Sequence, residues 1–284
     1  ISVAALEAKL ERARDQGKLP LILIPVDFAG QPADLREIRH LADVYGFAVL
    51  EDASHATGAS YLGLPVGSRW ADATVFSFHA VKIMTTGEGG LVTTHNAALA
   101  RRMQLLRSHG MTRESGEMEN PPEGPWVYEQ QFLGFNYRLT DIQAALGLAQ
   151  LQRLEAMHAR REALASRYDQ LLAGLPLRLP GRCDDRRSAL HLYVVEIDAE
   201  RSSVCRAEVF ELLRAAGIGV NVHYVPVHTQ PYYRRLGFKP GDFPCAERYY
   251  EQALTLPLFT AMTEAQQQRV ATALESALTA QQSG

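Results

Sequence analysis

Asp52, Ser54 and His55 fall in the stretch Glu51-Asp52-Ala53-Ser54-His55-Ala56-Thr57-Gly58-Ala59, directly after the apolar run Phe47-Ala48-Val49-Leu50. If that run is a strand, the Asp52 carboxylate projects from its carboxyl end, where an acid caps a helix or binds a ribose hydroxyl. Taken alone, His55 reads as an ordinary polar residue with a local partner. Ser77 and Lys82 belong to a second stretch, Phe76-Ser77-Phe78-His79-Ala80-Val81-Lys82, followed by Thr85-Thr86-Gly87-Glu88-Gly89-Gly90. A lysine amid aromatic and glycine residues just past a buried strand is poorly placed for a hydrated charge. Desolvation lowers the pKa of an amine and makes it a nucleophile toward carbonyls. The plain alternative is a surface lysine on a loop. Asp52 and Lys82 together point to pyridoxal 5'-phosphate. That cofactor needs a Schiff-base lysine, an acid that keeps its ring nitrogen protonated, and hydroxyl or backbone donors for its phosphate.

The elements that must position these residues follow from periodicity. Leu6, Leu10 and Ala13 recur at helical spacing, and Leu21-Ile22-Leu23-Ile24 is a continuous apolar run. Such a run predicts a strand buried on both faces of a parallel sheet. Asp34 and Glu37 predict a capping arrangement for a helix whose inner face is Ile38, Leu41 and Tyr45, closed by Gly46. Strands are then predicted at 47–50, 74–76 and 91–93, giving a doubly wound α/β layer. Residues 111–127, rich in glycine and proline, read as a long loop. Thr140 and Gln143 form a capping box heading a helical stretch to about Leu175, along which the apolar face changes phase. Arg161 interrupts the second part of that stripe. A helix whose buried face shifts in this way suits a bridge between domains. Beyond it, a strand at 191–197, a helix at 203–216, a strand at 220–225 and helices at 246–254 and 263–278 predict a smaller α+β domain. The expected division is 1–139 for the large domain and 140–284 for the bridging helix and small domain.

The chain has 284 residues with 29 Lys+Arg against 32 Asp+Glu, a formal net charge of −3. That balance argues against a chain that wraps nucleic acid or lies on anionic lipid. No apolar run is long enough to span a bilayer. Cys183, Cys205 and Cys245 are too few and too scattered for a disulfide framework, so a reduced cytoplasm is the simplest expectation. Gly87-Glu88-Gly89-Gly90 matches neither GxGxxG nor GxxxxGK[ST], and Ser77 and Lys82 lack SxxK spacing. His223, Tyr224 and His228 have no third ligand at metal-site spacing and read better as a polar pocket wall.

The stretches EDASHATGA, FSFHAVKIMTTGEGG, LGFNYRLTDIQAALG, VHYVPVHTQPYYRRLGF and LPLFTAMTEAQQQRV cover, in order, nearly the whole chain. Together they resemble the DegT/StrS sugar aminotransferases, pyridoxal-phosphate enzymes of fold type I. The resemblance implies a mostly parallel large domain and a smaller α+β C-terminal domain. VDFAG, SHGMTRE and HYVPVHTQPYYRRLGF are similar to the members that serve pseudaminic acid biosynthesis. Those members aminate C4 of a UDP-linked 4-keto-6-deoxy-N-acetylhexosamine. By resemblance, Lys82 is the Schiff-base lysine, Asp52 pairs with the ring nitrogen, His55 bonds the phenolic oxygen and Ser54 lies near one ring face. Ser77 binds the phosphate, and Asn136 reaches the cofactor phosphate of a neighbouring subunit in a homodimer. His228, Gln230 and Tyr232 fall in the stretch that lines the nucleotide-sugar site. An amino-acid donor, L-glutamate in the family, completes the implied reaction.

Two rivals share the scaffold. A sugar dehydratase of the same family carries histidine at the Schiff-base position, and Lys82 weighs against it. A non-catalytic binding relative would not need Asp52, His55, Ser77 and Lys82 all present. Family members also carry a segment upstream of the helix that opens this chain, including a turn that cradles the cofactor phosphate. The resemblance therefore implies weak cofactor binding unless that segment is supplied.

Overall fold

The computed structural model describes residues 1–279, which divide into two compact units. The first comprises Ile1–Leu154 with Asp185–Arg187; the second comprises Glu155–Asp184 and the described chain from Ser188 on. Among the described residues, no helix is long and apolar enough to cross a membrane.

The first unit is built on a four-stranded sheet in the order Ile22–Leu23, Ala48–Asp52, Ala73–Ser77, Gly90–Thr93. The first three strands are parallel and the last is antiparallel to its neighbour. Helices Val3–Asp15 and Leu35–Tyr45 place Leu6, Leu10, Ile38, Leu41 and Ala42 against Phe47 and Val49, so one cluster glues helices to sheet. Gly46 ends the second helix with φ 78°, the left-handed conformation that a Cβ disfavours. The expected Asp34 cap is absent, although Asp34 does occupy the cap position. Its carboxylate instead takes a bond from the Arg186 guanidinium at 2.7 Å, and Glu37 accepts from the Tyr61 hydroxyl at 2.9 Å. A charged fork outcompeted the backbone for the same oxygen.

The run 21–24 is the clearest departure in this unit. Only Ile22–Leu23 is strand, and Leu21 is 87% exposed. It is the outermost of the four strands, and Ile22 and Ile24 are exposed as well, so the run is not covered on both faces among the described residues. The loop at 111–127 is braced rather than loose. Met111–Thr112 pairs with Glu129–Gln130, and Arg101 donates to Glu117 at 2.6 Å, holding that carboxyl down to about 2.

The long helix expected from 140 to 175 is two helices, Asp141–Leu151 and Leu154–Leu171. The break falls where the apolar face changes phase, so the chain interrupts the helix rather than twisting one stripe around it. The Thr140–Gln143 capping box is present.

The second unit packs an antiparallel sheet, in the order Ala253–Leu256, Tyr193–Ile197, Leu177–Arg178, against helices Leu154–Leu171, Arg206–Ala215 and Glu264–Thr279. The helix expected at 246–254 is Pro244–Gln252; it stops two residues earlier, and Ala253–Leu256 is strand. The strand expected at 220–225 does not form. Asn221 alone bridges Thr255, and the Asn221 side chain accepts the Val222 N–H at 2.8 Å, taking the place of the next ladder bond.

Candidate active site

Parallel pairing brings the carboxyl ends of successive strands to one edge. Asp52 ends Ala48–Asp52, and Ser77 ends the neighbouring Ala73–Ser77, with Asp52 level with Val75. Val26 bridges Asp52 in the same parallel sense, so the segment leaving the first strand joins that edge. Asp52 Oδ1 accepts the Ser54 N–H at 3.0 Å, which turns the chain sharply after the strand. The Phe28 ring lies 6.2 Å from the His55 ring, centroid to centroid, at 50°.

Lys82 is half-buried in the loop between Ser77 and Gly90. Burial holds its amine below the usual lysine value, and the negative charge of Asp52 opposes that shift. An amine in that position keeps its lone pair at lower pH than a surface lysine, yet faces a carboxylate. The Lys82 N–H donates to the His79 carbonyl at 2.9 Å, and the Ser77 hydroxyl accepts the His79 N–H at 3.4 Å.

The loop is clamped by helix Asp141–Leu151. Gln150 accepts the Thr85 N–H and donates to the Thr85 carbonyl, both at 3.1 Å, in the manner of a strand neighbour. Gln143 donates to the Glu88 carbonyl at 2.9 Å. The helix comes this close because residue 147 is glycine; a Cβ there would stand 3.0 Å from Thr86 Cγ2. Gln150→Ala is expected to free both Thr85 groups, at a cost of ~1–2 kcal/mol, so amide exchange across 78–90 should quicken by about tenfold. Unchanged exchange there would show that the clamp holds nothing.

Asp52, Ser54, His55, Ser77 and Lys82 thus all belong to one sheet edge of the first unit. Asn136 is in the same unit but exposed, bridging Ser108. His228, Gln230 and Tyr232 are together in the second unit. His228 is buried, with Nε2 2.8 Å from Glu247 Oε1 and its ring edge-on to Phe243. Gln230 precedes the short helix Pro231–Arg235, and Tyr232 is exposed. Asp27 and Glu51 escaped notice in the sequence. Asp27 follows its apolar run just as Asp52 follows the next, which was the available signal.

This edge geometry accompanies a match of residues 1–275 to the DegT/DnrJ/EryC1/StrS aminotransferase family. The chain belongs to that family. Among DegT/DnrJ/EryC1/StrS relatives, the spore coat polysaccharide biosynthesis protein SpsC of Bacillus subtilis is 42% identical over 245 residues, 85% of this chain and 62% of SpsC. The chain therefore spans less than two thirds of that relative's length. The solved structure of Helicobacter pylori PseC, an aminotransferase involved in the biosynthesis of pseudoaminic acid, is 31% identical with a TM-score of 0.81. It matches over 90% of this chain and 66% of PseC. Spr1654 of Streptococcus pneumoniae in its PMP-form is 30% identical with a TM-score of 0.81, over 90% of this chain and 69% of that one.

Proposed function

We propose that this chain carries the reactive lysine and cofactor-binding residues of a pyridoxal-phosphate-dependent sugar aminotransferase. The observation that carries the reading is Lys82, half-buried past one parallel strand and facing the charge of Asp52 at the end of the next. The donor set fits the cofactor. A desolvated amine suits its aldehyde, and Ser54 and Ser77 offer hydroxyls. One oxygen of Asp52 bonds the Ser54 N–H, leaving the other without a donor among the described residues.

Pyridoxal phosphate, when bound, supplies an aldehyde for the amine and a ring that accepts the electrons left by a departing proton. Asp52 would hold a proton on the ring nitrogen, and Ser77 would bind the phosphate. His55 would bond the phenolic oxygen, with Ser54 beside the ring. Lys82 Nζ takes the α-proton of the donor amino acid and, in the second half of the reaction, delivers a proton to the sugar carbon. The clamp on Thr85 fixes the loop from which Nζ reaches, which limits the reorganisation each transfer requires.

The substrate we propose is a UDP-linked 4-keto-6-deoxy-N-acetylhexosamine, aminated at C4 with L-glutamate as donor, for pseudaminic acid or a related surface sugar. The similarity to PseC supports this choice, and His228, Gln230 and Tyr232 are the residues proposed for the nucleotide sugar. We place the enzyme in the cytoplasm as a homodimer. Exposed Trp126, Tyr128, Leu133, Phe135, Tyr137 and Ile142 support the second copy, with Asn136 among them reaching the partner's cofactor. Incubation with cofactor, glutamate and a panel of UDP-4-keto sugars, read by mass spectrometry, is expected to convert a ketone to an amine in one of them. A panel left unchanged while cofactor is bound would overturn the reading.

A further inference from the structure

Asp27 and Glu51 are both fully buried behind the sheet edge that ends in Asp52. Asp27 Oδ1 accepts the Ala33 N–H at 2.9 Å, and Glu51 Oε2 accepts the Thr74 hydroxyl at 2.6 Å. The remaining oxygens, Asp27 Oδ2 and Glu51 Oε1, are out of reach of solvent and take no bond from any N–H or hydroxyl donor among the described residues. The two carboxyl groups lie close enough to act on each other directly. Two carboxylates offer each other no hydrogen, and two buried anions so placed would repel strongly. One proton between them resolves both problems.

The backbone ties this pair to Asp52. The Asp27 N–H donates to the Asp52 carbonyl at 3.0 Å, and the Asp52 N–H donates to the Pro25 carbonyl at 2.9 Å. Glu51 is the residue before Asp52 in the same strand, and its side chain bonds Thr74 on the next strand. The Asp27 side chain reaches across the turn to Ala33, fixing the segment that contains Phe28. We propose that Asp27 and Glu51 share a single proton and together set the position of the strand end that carries Asp52. The pairing rests on burial and on the two unbonded oxygens; its bearing on chemistry rests on the role given above to Asp52.

The charges bearing on Asp27 are those of Glu51 on its neighbouring strand and Asp52 beside it, and the Ala33 N–H opposes them. Around Glu51 stand Asp27, the Thr74 hydroxyl and the Gly67 backbone. Burial, then the Glu51 charge, push the Asp27 carboxyl up to about 8, so the pair keeps one proton at neutral pH. Burial raises Glu51 as well. The folded chain therefore keeps a proton that the unfolded chain releases near its ordinary value of 3.8. This contribution to stability is complete below that value and is lost as pH rises through about 8.

Carbon-13 labelling of aspartate carboxyls tests the pair on the unliganded chain. One aspartate is expected to titrate near pH 8, and the amide signals of Asp52 and Ser54 should shift with the same midpoint. Asp27→Asn keeps a donor toward Glu51 and should abolish that inflection while folding normally. Its melting temperature should decline by roughly 7–14 °C less than wild type between pH 5 and 8. Glu51→Gln, the second variant, should return the Asp27 titration toward the ordinary aspartate range. All aspartates titrating below about pH 5 would overturn the proposal. So would an Asp52 amide inflection that survives Asp27→Asn. None of these measurements needs cofactor or substrate, so failure of the aminotransferase reading would leave them intact.

Discussion

Lys82→Ala is expected to slow amino transfer to a keto sugar by about 10²–10⁴-fold, the range lost when a positioned general acid–base is removed. Loss of the amine that engages the cofactor adds to this. Lys82→Arg should fare no better. A guanidinium stays protonated throughout the working pH range and cannot take the donor's α-proton. The wild-type rate should rise with pH as the amine deprotonates, reaching half its maximum below the ordinary lysine value because burial lowers that group. Fold is not at issue. Lys82 is only half-buried, and the loop is held by Gln143 and Gln150 through backbone groups that the substitution leaves in place. Either variant turning over keto sugar within tenfold of wild type would remove Lys82 from the mechanism.

The largest effect on stability is expected in the second unit, at Arg161. Its Nη1 donates to the carbonyls of Leu190 at 3.0 Å, His191 at 3.3 Å and Leu258 at 3.2 Å, all inside the fold. Burial pulls the guanidinium below its usual value. Arg161→Ala leaves three carbonyls unbonded and a cavity, a loss of about 3–5 kcal/mol in urea unfolding. Arg161→Lys should recover only a minor part of this, since the lysine side chain is one atom shorter and its ammonium stops short of the position of Nη1. A loss below about 1 kcal/mol for the alanine variant would mean that water satisfies those carbonyls.

Arg161 also marks the limit of reading this fold from the sequence. Periodicity saw only an interruption of an apolar stripe, because a charge normally signals solvent. The bonds that make it a core residue come from chain segments far along the sequence. Asp52 and Lys82 were legible for the opposite reason: each follows an apolar run, and strand ends announce themselves locally. The phase change after Ala149 was equally local and located the helix break. The Leu21–Ile24 run misled because apolar composition states what a strand could bury, not how many neighbours it has. Asp34 kept its cap position and lost its cap bond to Arg186, a competitor invisible at helix range. The Asp27–Glu51 pair depends on two acids meeting across strands, which no spacing within one segment encodes.

The two units have separate hydrophobic clusters, one gathered around Ile38 and Val49, the other around Tyr168, Val195 and Leu274. Substitutions in cores that share no partners add independently in free energy. A library confined to 220–258 can therefore spend stability in its own unit without drawing on the packing that seats Lys82 and Asp52. That separation leaves an engineer room to vary the residues proposed for the nucleotide sugar while those proposed for the cofactor keep their packing.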